Sequence, residues 1–419
     1  MKSLSPILLF LLLYVVTSIV AQDFYKVPIT VAFLVSSVYA ICITKGTLKE
    51  RLEIYAEGVR DSSMMLMLWI FLLAGAFAAS AKSMGAIDAT VALALRYLPS
   101  FFILPGIFIA ACFISMSVGT SVGTIAALTP VAVGIADGAE LNVAFTVAIV
   151  VGGAYFGDNL SFISDTTIVA TQTQGCKMND KFRVNSRIVI PAALLILCLY
   201  AWLGRDLNTD YQGGDINFWK VLPYLIVIIL AICGINVLIV LLIGILLCGI
   251  VGITAGEYDL FGWFQSMADG MDSMSELLIM TLLAAGLLSI IRHNGGIRVI
   301  IATITRHINS SRGAEMSIAL LVCLINICTA NNTVAIMTAG PIARDIAQRF
   351  NIDPRKSASL LDTTSCFTQA LLPYGAQMLI AAGLASLNPV NIIPNLYYPM
   401  ALIAAVTLSI LLRYPRKYS

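Results

Sequence analysis

Apolar runs punctuated by short polar segments cover the chain from end to end. They fall at residues 4–21, 27–44, 62–81, 101–117, 125–136 and 188–203, then at 218–232, 237–253, 277–291, 314–327, 334–347 and 395–412. A helix of about 20 apolar residues crosses a bilayer, so the pattern predicts a chain threaded repeatedly through a membrane. Residues 142–175 and 357–387 differ: they are apolar at both ends and polar in the middle. Residues 142–175 are too long for one plain crossing, and a helix, an unwound centre and a second helix fit the stretch. Residues 82–99 predict a short helix. Residues 45–61, 177–187 and 292–312 read as basic loops or connections, and 257–276 as an acidic one. Residues 4–21 also fit a cleaved signal peptide ending at Ile19-Val20-Ala21; a counterpart in the second half favours a first transmembrane helix.

The second half repeats the plan of the first. Thr129-Pro130-Val131-Ala132 matches Gly340-Pro341-Ile342-Ala343 at a spacing of 211 residues, and Ala74-Gly75 with Ala285-Gly286, Gly85 with Gly296, and Leu160 with Leu371 keep that spacing. Gly58 and Gly270 stand one residue further apart. Several matches at one offset argue for duplication, with residues 1–210 and 211–419 as the two repeats of one integral membrane unit. The charges then set orientation. Lys45, Lys49, Arg51 and Arg60 crowd the first connection, whereas its partner near 257–272 has neither Lys nor Arg. The turn 137–141 has no basic residue, while 344–356 carries Arg344, Arg349, Arg355 and Lys356. Positive loops stay in the cytoplasm, so equivalent loops face opposite sides and both termini are expected to be cytoplasmic. The expected fold is an all-α polytopic membrane protein of two inverted-topology repeats with discontinuous helices and about 10–14 membrane segments. Residues 100–136 and their mirror 313–343 fit either re-entrant hairpins or two full spans each.

Composition narrows the function. The chain is 59% hydrophobic and only 11% charged, with a mean hydropathy of +0.91, where a soluble domain is about 25% charged. A net charge of +2 is too small to suggest nucleic acid as a partner, and no basic cluster suggests one either. Nine cysteines lie scattered without a CxxC pair and read as small buried side chains. The two histidines, His293 and His307, sit near the ends of apolar segments, so proton chemistry falls to carboxylates. No Walker A sequence offers ATP as a power source, and no HExxH or nucleophile elbow suggests an enzyme.

The stretch 152–167, GGAYFGDNLSFISDTT, concentrates the chemistry. A charge at the bilayer centre costs about 2.5–3.5 kcal/mol on insertion scales, and this run holds two acids. Gly152, Gly153 and Gly157 are expected to loosen the helix, freeing carbonyl oxygens beside the carboxylates. Asp158 and Asp165 are therefore the candidate cation and proton ligands, with the hydroxyls of Ser161, Ser164, Thr166 and Thr167. A polar loop in water is the competing reading. Thr120, Ser121 and Thr124 in the run SVGTSVGT, and their counterparts Asn331, Asn332 and Thr333, are candidate lining groups; close helix packing would also explain the glycines among them. Asp362, Gln369 (which aligns with Asp158) and Tyr374 after Pro373 complete the candidate set, Asp362 either as a second cation or proton site or as a paired helix-end residue.

These motifs resemble those of the NhaC-type Na+/H+ antiporters in the ion transporter superfamily. GTSVGT with Pro130 is similar to that family's GTSWGT and proline, GDNLSFISDTT to its GDKLSPLSDTT, and LLPYGAQ at 371–377 to its proline–tryptophan segment. Asn159, Phe162 and Tyr374 stand where the family has lysine, proline and tryptophan, and Asn159 removes an internal counter-charge. The resemblance implies a secondary active transporter in a bacterial cytoplasmic (inner) membrane. It would exchange Na+ for H+ by alternating access, with no resident cofactor, with the lipid bilayer around it, and with a homodimer as an open option. The alternative is a Na+- or H+-coupled transporter of organic anions such as malate and lactate, or of amino acids, against which stands the lack of a clear intramembrane arginine.

Overall fold

A computed structural model describes residues 2–13, 29–60, 62–161, 164–205, 207, 217–233, 235–304, 310–415 and 418. Residues 14–21 of the first apolar run, most of the polar stretch 204–217, and Phe162, Arg306 and His307 lie outside the described residues. Among the described residues there is no strand. The first half comprises α1 (Ser5–Leu11), α2 (Ile29–Ile43), α3 (Leu48–Val59), α4 (Ser62–Ser83), α5 (Ala86–Tyr97), α6 (Ser100–Val118), α7 (Ser121–Gly138), α8 (Val143–Leu160), α9 (Asp165–Gln174) and α10 (Met178–Gly204). The second comprises α11 (Phe218–Ile232), α12 (Val237–Thr254), α13 (Leu260–Ser273), α14 (Ser275–His293), α15 (Gly296–Ile304), α16 (Ser311–Thr329), α17 (Asn332–Arg349), α18 (Pro354–Ala370), α19 (Ala376–Leu384), α20 (Pro389–Ile392) and α21 (Tyr397–Leu411). Eight helical stretches among the described residues are long and apolar enough to cross a bilayer, and α19 with the segment after it forms a further pair bent by 95°. The protein is a multi-pass integral membrane protein.

Three segments expected as connections are helical. Residues 48–59 form α3, opened by a capping box in which the Thr47 hydroxyl accepts from Glu50 N and the Glu50 carboxylate from Thr47 N. Its Tyr55 packs on Gly286 and donates to Leu283 O at 3.0 Å, anchoring the charged helix to α14. Residues 260–273 form α13, and the basic stretch 177–187 supplies the first turns of α10, whose buried face is Lys181, Val184, Asn185 and Ile188. Charge density marked these as loops; a helix with one apolar face hides charged residues on its other side.

Pairings between helices come twice, with the halves exchanged. The glycines of α4 and α13 face each other, so that a Cβ on Gly75 would lie 2.3 Å from Gly270 O and one on Gly270 2.3 Å from Gly75 O. Likewise α3 lies on α14, with Gly58 against Ala285. Helix α9 packs on α17, with Thr173 against Gly340, and α19 packs on α7.

At the centre lie α8 and α18, buried along most of their length. Gly153 and Gly157 do not loosen α8, which continues regularly to Leu160. They admit α6: a Cβ on Gly157 would meet the Ser115 side chain at 2.2 Å, and one on Gly153 would meet Ala111 at 2.6 Å. The chain leaves the helix only at Ser161 and re-enters one at Asp165.

Candidate functional site

Two tight reversals and two helix breaks converge. Helices α6 and α7 join through Gly119, in the left-handed region at φ +73°, and the extended Thr120. Helices α16 and α17 join through Ala330, also left-handed, and Asn331. The two tips face one another across a cavity of about 130 Å³. Thr120 and Ser121 line it from the first tip, and Asn331, Asn332 and Thr333 from the second. Asp158, Ser164, Asp165 and Thr166 line it from the break between α8 and α9, Gln377 from the first turn of α19 just past the second break, at residues 371–375 between α18 and α19, and Leu66 and Ile70 from α4.

The two acids differ. Asp158 is 3% exposed, its Oδ1 receives no hydrogen bond among the described residues, and Ser121 lies beside it. A buried carboxylate oxygen without a donor calls for a ligand or a proton. Asp165 borders the same cavity but is exposed. The hydroxyls of Ser164 and Thr166, both buried, bond each other at 2.9 Å. Asn331 and Asn332 satisfy the start of α17: Asn331 Oδ1 accepts from Val334 N and Asn332 Oδ1 from Thr333 N, each at 3.0 Å.

Other expected site residues face elsewhere. Thr124 donates to Thr120 O at 3.1 Å, and Ser161 to Met116 O at 2.9 Å; both brace the first tip. Tyr374 donates to Ile327 O at 2.8 Å and stacks edge-on against Phe10 and Phe33. Gln369 is one step removed from the cavity: its Nε2 donates to Ala330 O at 2.9 Å and to Gln377 Oε1 at 3.1 Å, while Gln377 Nε2 donates to Ser121 Oγ at 3.1 Å. A chain of polar groups thus runs from the second tip to the neighbour of Asp158.

A sequence model of the Na+/H+ antiporter family matches residues 2–205 and 186–415. The chain belongs to that family. A malate-2H(+)/Na(+)-lactate antiporter of Bacillus subtilis is 22% identical over 433 residues, covering 94% of this chain and 91% of that one. The Na(+)/H(+) antiporter NhaC of the same organism is 24% identical over 400 residues, covering 86% of each. The solved YdaH transporter of Alcanivorax borkumensis superposes with a TM-score of 0.41 at 15% identity, over 84% of this chain and 89% of that one.

The family motif's lysine is absent at Asn159, and a lysine from another helix stands beside that position. Lys181 is 1% exposed. Its ammonium lies 2.8 Å from Asp362 Oδ2, 2.6 Å from Thr167 Oγ1 and 3.0 Å from Asn159 O. Asn185 donates to the same Asp362 oxygen and the same Asn159 carbonyl, at 2.8 Å each. Thr167 donates to Asp158 O at 3.4 Å. Thr167 and Asp362 therefore belong to this ion pair and not to the cavity lining. Lys181, Asn185 and Gln377 escaped the sequence reading. The spacing of Lys181, Val184, Asn185 and Ile188 is that of one helix face, and Gln377 lies 211 residues after Thr166.

Proposed function

We propose that the protein exchanges Na+ for H+, with the Asp158 carboxylate as the shared site. One observation carries the reading: Asp158, buried where both tips and both broken helices meet, keeps an oxygen that no described donor reaches. Na+ is a hard cation that takes oxygen ligands. The Asp158 carboxylate, with the Ser164 and Thr166 hydroxyls around the cavity, offers them. A proton and Na+ then compete for one carboxylate, and that competition couples the two fluxes without ATP. Asp165, at the exposed rim, draws cations in. Family membership supports a transporter over an enzyme.

The halves are read as an inverted pair, at residues 1–210 and 211–419. The exchanged pairings support a twofold relation, and the opposite charge of equivalent connections supports the inversion. Tips that meet at one cavity favour re-entrant hairpins, since tips left at opposite faces would not touch. A second cavity of about 500 Å³, lined by Glu57, Arg292, His293 and Arg298, shares Asn331 with the central one. By the positive-inside rule it opens to the cytoplasm. A third, of about 540 Å³ and lined by Lys82, Asp88, Asp137 and Asp269, shares no lining residue with the centre. We read this as an inward-open arrangement, in a bacterial cytoplasmic membrane.

Na+-dependent collapse of a pH gradient in everted vesicles tests the proposal. Exchange that survives undiminished in Asp158→Asn overturns it. Arg292 and Arg298 on the adjoining cavity favour a second reading, exchange of small carboxylates; uptake of labelled malate or lactate separates the two.

A further inference from the structure

We infer that the Lys181 ammonium is a tethered resident cation, filling a second cation site at the break after α8 and holding transported Na+ to the single site at Asp158. The inference rests on the Na+/H+ reading above. A helix that stops inside a membrane leaves its last carbonyls without partners and its end partly negative. Those oxygens beside acids are what a hard cation seeks, yet here they are taken. Asn159 O accepts from Lys181 and Asn185, and Asp158 O accepts from Thr167. The ammonium's surroundings are all oxygen: a backbone carbonyl, a hydroxyl and the carboxylate of Asp362. That is the ligand set of a Na+ site, with a lysine in the middle. The site also joins the halves, since Lys181 belongs to α10 and Asp362 to α18. Asn159 is the residue next to Asp158, so the resident cation fixes the backbone from which the transport carboxylate projects.

The test compares the wild type, Lys181→Ala and the pair Lys181→Ala/Asp362→Asn. Each is purified in detergent, and its thermal stability is followed against Na+ with choline keeping ionic strength constant. Each ion bound only by the folded state adds its own logarithmic dependence on concentration. Lys181→Ala leaves an anionic oxygen cage that Na+ can enter, so its stability climbs with the logarithm of Na+ about twice as steeply as the wild type's. The double variant, with the anion removed, returns to the wild-type slope. Equal slopes for Lys181→Ala and the wild type overturn the inference. So does a Lys181→Ala protein that no Na+ concentration restores, whether or not the double variant folds, because the pair is then a brace and not a cation site. The outcome separates from the exchange reading. A wild type with no Na+ slope that Asp158→Asn could abolish defeats that reading, while a slope gained only on removing Lys181 still supports the resident cation.

Discussion

Gln377 reaches from the first turn of α19 to the Ser121 hydroxyl at the first turn of α7, across 3.1 Å. This bond ties a helix start in one half to a helix start in the other, next to Asp158. Ser121→Ala removes its buried hydrogen bond from Gln377, and Gln377→Ala removes that bond and the one it accepts from Gln369, each bond worth about 0.5–1.5 kcal/mol. Each variant should raise the Na+ concentration for half-maximal exchange about two- to tenfold, with expression unchanged, in vesicle titrations.

The two acids should respond unequally. Asp158→Asn removes a buried charge from the centre of the cavity and should lower exchange by on the order of 100-fold or more. Asp165→Asn, at the exposed rim, should cost less than about tenfold, and more at low salt than at high salt because exposed charges are screened. Parallel vesicle assays at two ionic strengths check both.

Tyr374 was expected at the site and instead braces it. Tyr374→Phe deletes its bond to Ile327 O and should lower the unfolding temperature through a loss of about 0.5–1.5 kcal/mol. Half-saturation by Na+ should stay at its wild-type value.

At the start of α18, partial burial pushes the Asp353 carboxyl up, but hydrogen bonds from the Arg355 side chain and backbone prevail and hold it below its usual value. A lowered carboxylate stabilises the fold above the ordinary value of about 3.9 and loses that contribution as pH falls through its own folded value. Asp353→Ala, which also removes a helix cap worth about 1 kcal/mol, should therefore cost the same stability from pH 5 to 8. The gap to the wild type should close only in stronger acid, as thermal unfolding across pH will show.

Much of this was legible in the chain. Asp158 could be picked out because an acid amid apolar residues is costly, and Thr120, Ser121, Asn331 and Asn332 because polar residues interrupted otherwise apolar turns. Asp165 looked equivalent to Asp158 because sequence gives the charge but not its depth. Gly153 and Gly157 were read as weak points in a helix. Their role, admitting Ser115 and Ala111 of α6, depends on a neighbour some forty residues away. Lys181 was lost among Lys177, Arg183 and Arg187 because a positive cluster reads as a loop, and only folding shows that one of its members turns inward.

The seam between α4 and α13 is main chain against main chain at Gly75 and Gly270. Interlocked side chains must change rotamer before two surfaces can slip, whereas a seam without them offers little resistance to sliding. A methyl group at either glycine would lie 2.3 Å from the opposite carbonyl oxygen and force the two helices apart. Gly75→Ala or Gly270→Ala should therefore lower the unfolding temperature and slow turnover together, and a second alanine opposite the first should deepen both losses.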